Sequence, residues 1–509
     1  MTRLVKLGLS TLSGLLLSLA WPEIGGFTPF IFIALVPLLV IQQFLDKKEW
    51  RVLFLYSFLS FIIWHVISDY WMLYSTIIGS ITAWVINSFL MASIISLTFL
   101  SNRKSKFIPY EITLSFYWLS FEITHLFWEL SWPWMNLGNA FANQIEWVQW
   151  YEYVGIYGGS FWIIIINGFV FRIILAIIRK QTKTALYSGS VAIVAIAMPL
   201  MFSHYLLNKK LTINKTLNIS VIQSNFNTYT EKFNGLSPLK QSKGILNQMN
   251  GISKNTALCV LPETAIPTNI YEHTRIFPQS IQLLLDKSKA NSYSILGSYY
   301  SFDSSNSYNT VALIQKGKII QTRHKSKLVP FAETMPFEFL SKGLKSIIQE
   351  EGGTGSTFGR DKFARVFNLN DYQDRKIGAL ICFESIFPDL VAEMTANGAE
   401  FLVIITNDDW WKDTAGHRLH FAISRLHAIA NRRPIARAAN TGISGFIDAW
   451  GRVLQKSKYR EKVMISENLE SPIKLTFFSQ YEKWIRIFIL IIAALIFLIP
   501  KILTWFKPK

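Results

Sequence analysis

The chain has 509 residues, 50% hydrophobic and 17% charged, with a formal net charge of +18. So much apolarity excludes a wholly soluble protein. The basic residues fall in short clusters between apolar stretches rather than in one stripe, which argues against nucleic-acid binding and for orientation in a membrane.

In chain order, residues 7–20, 27–45, 52–68, 81–100, 108–126, 160–178, 185–205 and 484–506 are each apolar for about the ~20 residues that cross a bilayer. The implied domains are a seven-helix membrane domain over 1–208, a catalytic domain over 209–482 and a C-terminal transmembrane helix within 483–509. Arg3 and Lys6, Lys47, Lys48 and Arg51, Arg103, Lys104 and Lys106, and Arg179, Lys180 and Lys183 occupy alternate connections. Loops 21–26, 69–80 and 127–159 lack Lys and Arg. The positive-inside rule then puts both termini in the cytoplasm and residues 209–482 outside. Ser18-Leu19-Ala20 also fits a signal-peptide cleavage site, but cleavage there leaves every later orientation unchanged.

Loop 127–159 is rich in Trp and Tyr, including Trp128, Trp132, Trp134, Trp147 and Trp150. It reads as an interfacial aromatic belt, with a platform for a lipid substrate as the alternative.

Beyond residue 209 the pattern changes to short apolar runs at 219–223, 257–261, 293–299, 309–315, 377–382 and 401–406, alternating with amphipathic helical patterns at 237–250, 275–289, 386–397 and 416–431. Near-continuously apolar strands are buried on both faces, so an α/β fold follows, with reactive groups expected at strand ends. Three ends carry chemistry: L-P-E-T, with Glu263; R-H-K-S-K-L-V-P-F-A-E, with Lys325 and Glu333; and I-C-F-E-S, with Cys382 and Glu384. They supply a carboxylate, an ammonium and a thiol. The cysteines, Cys259 and Cys382, form no C-x-x-C or Cys/His metal spacing, and Cys259, inside its strand, reads as an inert small hydrophobe.

These motifs, with T-N-D-D-W-W at 406–411 and R-P-I-A-R-A-A-N-T-G-I-S-G at 433–445, resemble the nitrilase superfamily. With membrane spans on both sides, the whole chain resembles its membrane-embedded branch, the apolipoprotein N-acyltransferases. The resemblance implies an α-β-β-α sandwich and a Glu263–Lys325–Cys382 triad: Glu263 as base, Cys382 as nucleophile, and Lys325 with the Phe383 backbone N–H as oxyanion donors. Glu333 and Glu384 would orient the triad or meet the amine substrate, and Trp410 and Trp411 would wall the acyl pocket. It further implies a phospholipid acyl donor, typically phosphatidylethanolamine, and a diacylated apolipoprotein acceptor. A monomer in the bacterial inner membrane with a periplasmic catalytic domain and no cofactor or metal completes the expectation. The rival within enzymes is a membrane-tethered amidase. Departures are Ala332, where the family usually has Gly, and Asp409 and Lys412, where small residues are usual.

Residues 334–362 place Phe337, Phe339, Leu340, Leu344, Ile347 and Ile348 near helical spacing, before Gly352, Gly353 and Gly355. Either a core helix or a hinged lid fits. His417, His420 and His427 invite a metal reading, since 417 and 420 share a helix face, but no carboxylate or thiol pair sits at ligand spacing beside them, and a solvated or satisfied helix face is the commoner arrangement.

Overall fold

The computed structural model describes residues 1–102, 108–272, 274, 276–337 and 357–505. The basic cluster at 103–107 and most of the expected lid, 338–356, lie outside the described residues. Two compact units form: Met1–Met72, Ile77–Lys209 and Tyr481–Lys509 make the first, and Leu73–Thr76 and Lys210–Gln480 the second.

The first unit is helical: α1 (Arg3–Ala20), α2 (Val36–Gln43), α3 (Trp50–Ser68), α4 (Ile77–Asn102), α5 (Tyr110–Thr124), α6 (Tyr151–Ile178) and α7 (Thr182–Asn208). Five helical segments among the described residues are long and apolar enough to cross a membrane: Arg3–Ala20, Lys47–Ser68, Ile77–Asn102, Tyr151–Ile178 and Thr182–Asn208. The span expected at 27–45 is instead broken into a 3-10 turn, Thr28–Phe32, and α2, with a proline in the first turn of each. Proline lacks the N–H that a continuous helix needs, so each one begins a segment. The span expected at 108–126 is the 15-residue α5, about 22 Å long at 1.5 Å per residue.

Broken backbone in an apolar unit requires internal partners. Asn167 of α6 supplies them: its Oδ1 accepts from the Leu35 N–H at 2.8 Å and its Nδ2 donates to the Ile31 carbonyl at 2.8 Å. The aromatic loop is organised in the same way. Glu122 accepts from Trp118 Nε1 at 3.0 Å, the Leu137 N–H at 2.8 Å and Ser160 Oγ at 3.0 Å. Residues 131–142 are buried throughout, and Trp134 stands edge-on to Trp71 at 5.1 Å. Much of the loop is therefore core of the membrane unit rather than a belt or a platform.

The second unit contains β1 (Ile213–Gln223), α8 (Pro238–Met249), β2 (Leu258–Val260), β3 (Asn269–Tyr271), α9 (Gln279–Ala290), β4 (Ser294–Phe302), β5 (Ser307–Gln315), β6 (Lys318–His324), β7 (Phe367–Leu369), β8 (Arg375–Ile381), α10 (Pro388–Ala396), β9 (Phe401–Thr406), α11 (Ala415–Asn431), β10 (Ile435–Ala439), β11 (Gly445–Ile447), β12 (Val453–Lys456) and β13 (Val463–Pro472). A last helix, α12 (Phe477–Trp505), follows. One sheet runs β13-β1-β2-β4-β5-β6, with β3 beside β4; the other runs β12-β11-β10-β9-β8-β7.

Alternation of side chains across each strand builds the layers. Ile219, Val221, Leu258, Val260 and Leu296 of the first sheet meet Ile377, Ala379, Ile381, Val403 and Ile405 of the second in one central core. The intervening Ile222, Cys259 and Ile295 face outward onto Ile245 and Met249 of α8 and Leu284 and Leu285 of α9. Both faces of the central strands are thus apolar, as the sequence pattern requires, and the unit is the expected α-β-β-α sandwich. Cys259 lies in a helix-covered layer, fully buried, and its thiol pKa is raised by that burial.

Asn167→Ala strands two buried backbone groups at the broken helix, a loss of about 2 kcal/mol or more. The variant is expected to melt several degrees lower in detergent. An unchanged melting temperature would show that water or lipid satisfies those groups instead.

Candidate active site

The three sequence-predicted chemical groups sit where three strands end. Beyond β2, Pro262 and the left-handed Thr264 (φ 43°) frame Glu263, and Ser298 Oγ accepts from the Thr264 N–H at 2.6 Å. Lys325 follows β6, held by its N–H to the Asn309 carbonyl at 2.9 Å. Cys382 follows β8, opens a 3-10 turn over Cys382–Ile386, and has φ 50°. A non-glycine residue held in that region marks a sharp, overdetermined bend that presents the side chain at the end of the sheet.

Lys325 Nζ donates to Glu333 Oε1 at 2.9 Å and to Glu263 Oε1 at 3.3 Å, and its side chain is 1% exposed. Glu263 also accepts from Asn309 Nδ2 at 2.8 Å and, through Oε2, from the Asn407 N–H at 3.2 Å. Val329 N–H donates to the second oxygen of Glu333 at 3.0 Å. Burial alone would depress the Lys325 pKa, but Glu263, Glu333 and Cys382 outweigh it and hold the ammonium well above its ordinary value. Burial pushes the Cys382 thiol up; Glu263 adds to that rise and Lys325 opposes it. A thiol raised in this way acts as a nucleophile only beside a base that takes its proton.

Glu384 does something different. Its carboxylate accepts from Arg323 Nη1 at 2.9 Å and from Arg323 Nη2, from Ser326 N–H at 2.6 Å and Oγ at 2.7 Å, and from Ile381 N–H at 2.7 Å. Burial raises its pKa, but Arg323 and these donors bring it below the ordinary value. It braces the Lys325 segment against the Cys382 turn and is saturated by that role, which leaves it nothing for an amine substrate. Phe383 is buried against Phe387 at 5.0 Å. Trp410, half-buried, stacks on Phe233 at 5.8 Å, and Trp411 stands edge-on to His420 at 5.6 Å.

Sequence reasoning passed over Asn309, Arg323 and Lys232. Arg323 and Lys325 look like part of one surface basic run, yet their spacing of two puts both on the inner side of the chain, and each is 1% exposed. Lys232 ends a one-turn π-helix, Thr228–Lys232, and donates from Nζ to the Glu263 carbonyl at 3.0 Å. His417 and His420 are buried rather than solvated, and no metal-binding group of three acidic, His or Cys residues occurs among the described residues.

A profile described as Apolipoprotein N-acyltransferase N-terminal domain matches residues 13–169, and one described as Carbon-nitrogen hydrolase matches residues 219–469. The chain belongs to the apolipoprotein N-acyltransferase family. A relative of that name from Chlorobaculum tepidum is 26% identical across 97% of this chain and 96% of its own length. Another from Thermotoga maritima is 25% identical across 96% of this chain and 93% of its own. Among solved structures, Saccharomyces cerevisiae Nit3, a nitrilase superfamily member, is 15% identical over 53% of this chain and 95% of that chain, with a TM-score of 0.40.

Asp409 and Lys412, singled out in the sequence, each have a distinct structural setting. Asp409 accepts from the Thr228 N–H at 2.8 Å, Tyr459 Oη at 3.1 Å and Arg460 Nη2 at 3.4 Å, fastening the Lys232 turn and the loop before β13 to the end of β9. Lys412 has φ 52° and ψ −161°, a conformation natural to glycine and strained for lysine.

Burial lowers the Lys232 pKa to about 7, against the opposing pull of Glu263 and Asp409. The folded value lies below the unfolded one, so the unfolded chain binds more protons between pH 7 and about 10.4, and stability rises with pH there. Relative to Lys232→Met, wild type should gain up to about 1.4 kcal/mol per pH unit above 7. Melting both proteins from pH 7 to 9 checks this; parallel curves would contradict it.

Proposed function

We propose that this enzyme moves a fatty acyl chain from a phospholipid to the α-amino group of S-diacylglyceryl-cysteine at the start of an apolipoprotein, by way of a thioester on Cys382. The observation that carries the mechanism is the convergence of Glu263, Lys325 and Cys382 at three strand ends of one buried core. Full-length similarity to proteins named apolipoprotein N-acyltransferase supports the reaction class.

In the first step Glu263 takes the Cys382 proton, and the sulfur attacks the ester carbonyl of the donor. The developing oxyanion is met by the Lys325 ammonium and the Phe383 backbone N–H. Collapse breaks the ester C–O bond, and the lysophospholipid leaves as an alcohol with the proton held by Glu263. In the second step the acceptor amine attacks the thioester and Glu263 removes its proton. Collapse then expels the thiolate, which recovers that proton. Glu333 and Asn309 fix Lys325 and Glu263 between steps, so neither charge must reorganise.

The donor is phosphatidylethanolamine. Both substrates are membrane lipids, which suits a catalytic unit joined to apolar helices. The loop charges orient that unit toward the periplasm, with both termini cytoplasmic in the inner membrane, and the protein acts as a monomer. Trp410 and Trp411 line the acyl path.

Mixed micelles of phosphatidylethanolamine and a diacylated lipopeptide should yield N-acylated peptide and lysophospholipid. Cys382→Ala should abolish both products, and Glu263→Gln should slow them by about 10²–10⁴-fold. Release of free fatty acid with the peptide unmodified would assign the site to hydrolysis instead, as in a membrane-tethered amidase.

A further inference from the structure

Behind the Cys382 turn lies a polar cluster that the acyl-transfer chemistry above does not use. Ser385, His420, Asp408 and Arg437 come from the Cys382–Ile386 turn, α11, the turn after β9 and β10, and none is more than 1% exposed. Ser385 Oγ donates to the Cys382 carbonyl at 2.7 Å and lies 2.7 Å from His420 Nε2, which itself is 3.3 Å from the same carbonyl.

That geometry gives His420 Nε2 a role as donor. A carbonyl only accepts, and Ser385 directs its single proton to that carbonyl, so both neighbours of Nε2 call for a donor, and His420 with hydrogen on Nε2 supplies it. At the other ring nitrogen, Arg437 Nη2 approaches Nδ1 at 2.9 Å and Asp408 Oδ1 lies at 3.0 Å. Asp408 is held in turn by Arg437 Nη2 at 2.6 Å and Thr406 Oγ1 at 2.6 Å. Gly442 leaves room for it, since a Cβ there would sit 2.7 Å from Asp408 Oδ2.

In a trans peptide the carbonyl of one residue and the N–H of the next point in opposite directions across one rigid plane. No cis bond interrupts the chain among the described residues. Two donors on the Cys382 carbonyl therefore aim the Phe383 N–H away from the cluster, to the side where an oxyanion would form. They also polarise that peptide, which strengthens the N–H as a donor.

We propose that Ser385 and His420, backed by Asp408 and Arg437, are positioning residues that aim and polarise the oxyanion-binding peptide of Phe383. The proposal rests on the reading that Cys382 carries the acyl group.

The test compares two reactions of the same thiol in the full-length protein. Acylation by phosphatidylethanolamine, followed by intact mass without acceptor, passes through an oxyanion. Alkylation by iodoacetamide displaces iodide and forms none. Ser385→Ala should slow acylation by about tenfold or more and leave alkylation within about twofold. Ser385→Thr, which keeps the hydroxyl, should recover most of the rate, and His420→Gln, which keeps an N–H donor, should outperform His420→Leu. Equal acylation by wild type and Ser385→Ala would overturn the proposal, and so would a parallel fall in both reactions, which would mark a general structural role. Wild type that is alkylated but never acylated would overturn the reading of Cys382 and this proposal together.

Discussion

The site depends on one charge arrangement: the Lys325 ammonium, buried at the end of β6, lies between the carboxylates of Glu263 and Glu333. A lone ammonium taken out of water would cost several kcal/mol and would lose its proton instead. Two carboxylates within hydrogen-bonding distance reverse that outcome, so the cation is permanent and its position is set. Removing one partner would leave an uncompensated buried charge, which is why so many neighbouring donors converge there. Asn309 ties both carboxylates together, Val329 N–H holds Glu333, and the Asn407 N–H holds Glu263.

From this cluster the demands on the fold run outward. Three strand ends must meet, so two sheets pack face to face with helices outside, and the central strands become apolar on both faces. The Arg323–Glu384 pair locks the segment carrying Lys325 to the turn carrying Cys382. Asp409 ties down the turn that brings Lys232 against the Glu263 carbonyl. Burial raises the pKa of the Cys382 thiol, with Glu263 adding to the rise and Lys325 opposing it.

The features most legible in the sequence are those with a strong local pattern. Runs such as 401–406 are strands because both faces are buried, and 416–431 is a helix because its apolar spacing says so. Glu263 and Cys382 were legible as candidates because each follows an apolar run, whereas Lys325 follows the mixed run K-I-I-Q-T-R-H and stood out only through the family motif. Less legible was any polar residue whose role is tertiary. Arg437 interrupts the apolar pattern of β10, yet it is fully buried against Asp408. Arg323 hides in a run that looks like surface charge. The Trp-rich loop misleads because interfacial belts and buried aromatic cores share a composition; Glu122 and its three donors decide between them. Pro29 and Pro37 break a stretch that reads as one span, and the partner that makes the break tolerable, Asn167, is more than a hundred residues away.

The proposed two-step transfer puts the acyl chain on Cys382 between its steps. Incubating the protein with a phosphatidylethanolamine of defined acyl chains, quenching in acid, and mapping the adduct by peptide mass spectrometry reads this directly. The expected result is one acyl group, removable by neutral hydroxylamine, on the peptide containing Cys382, and none on Cys382→Ser under the same treatment. An adduct on another residue, or full product formation with no hydroxylamine-sensitive adduct on Cys382, would contradict it.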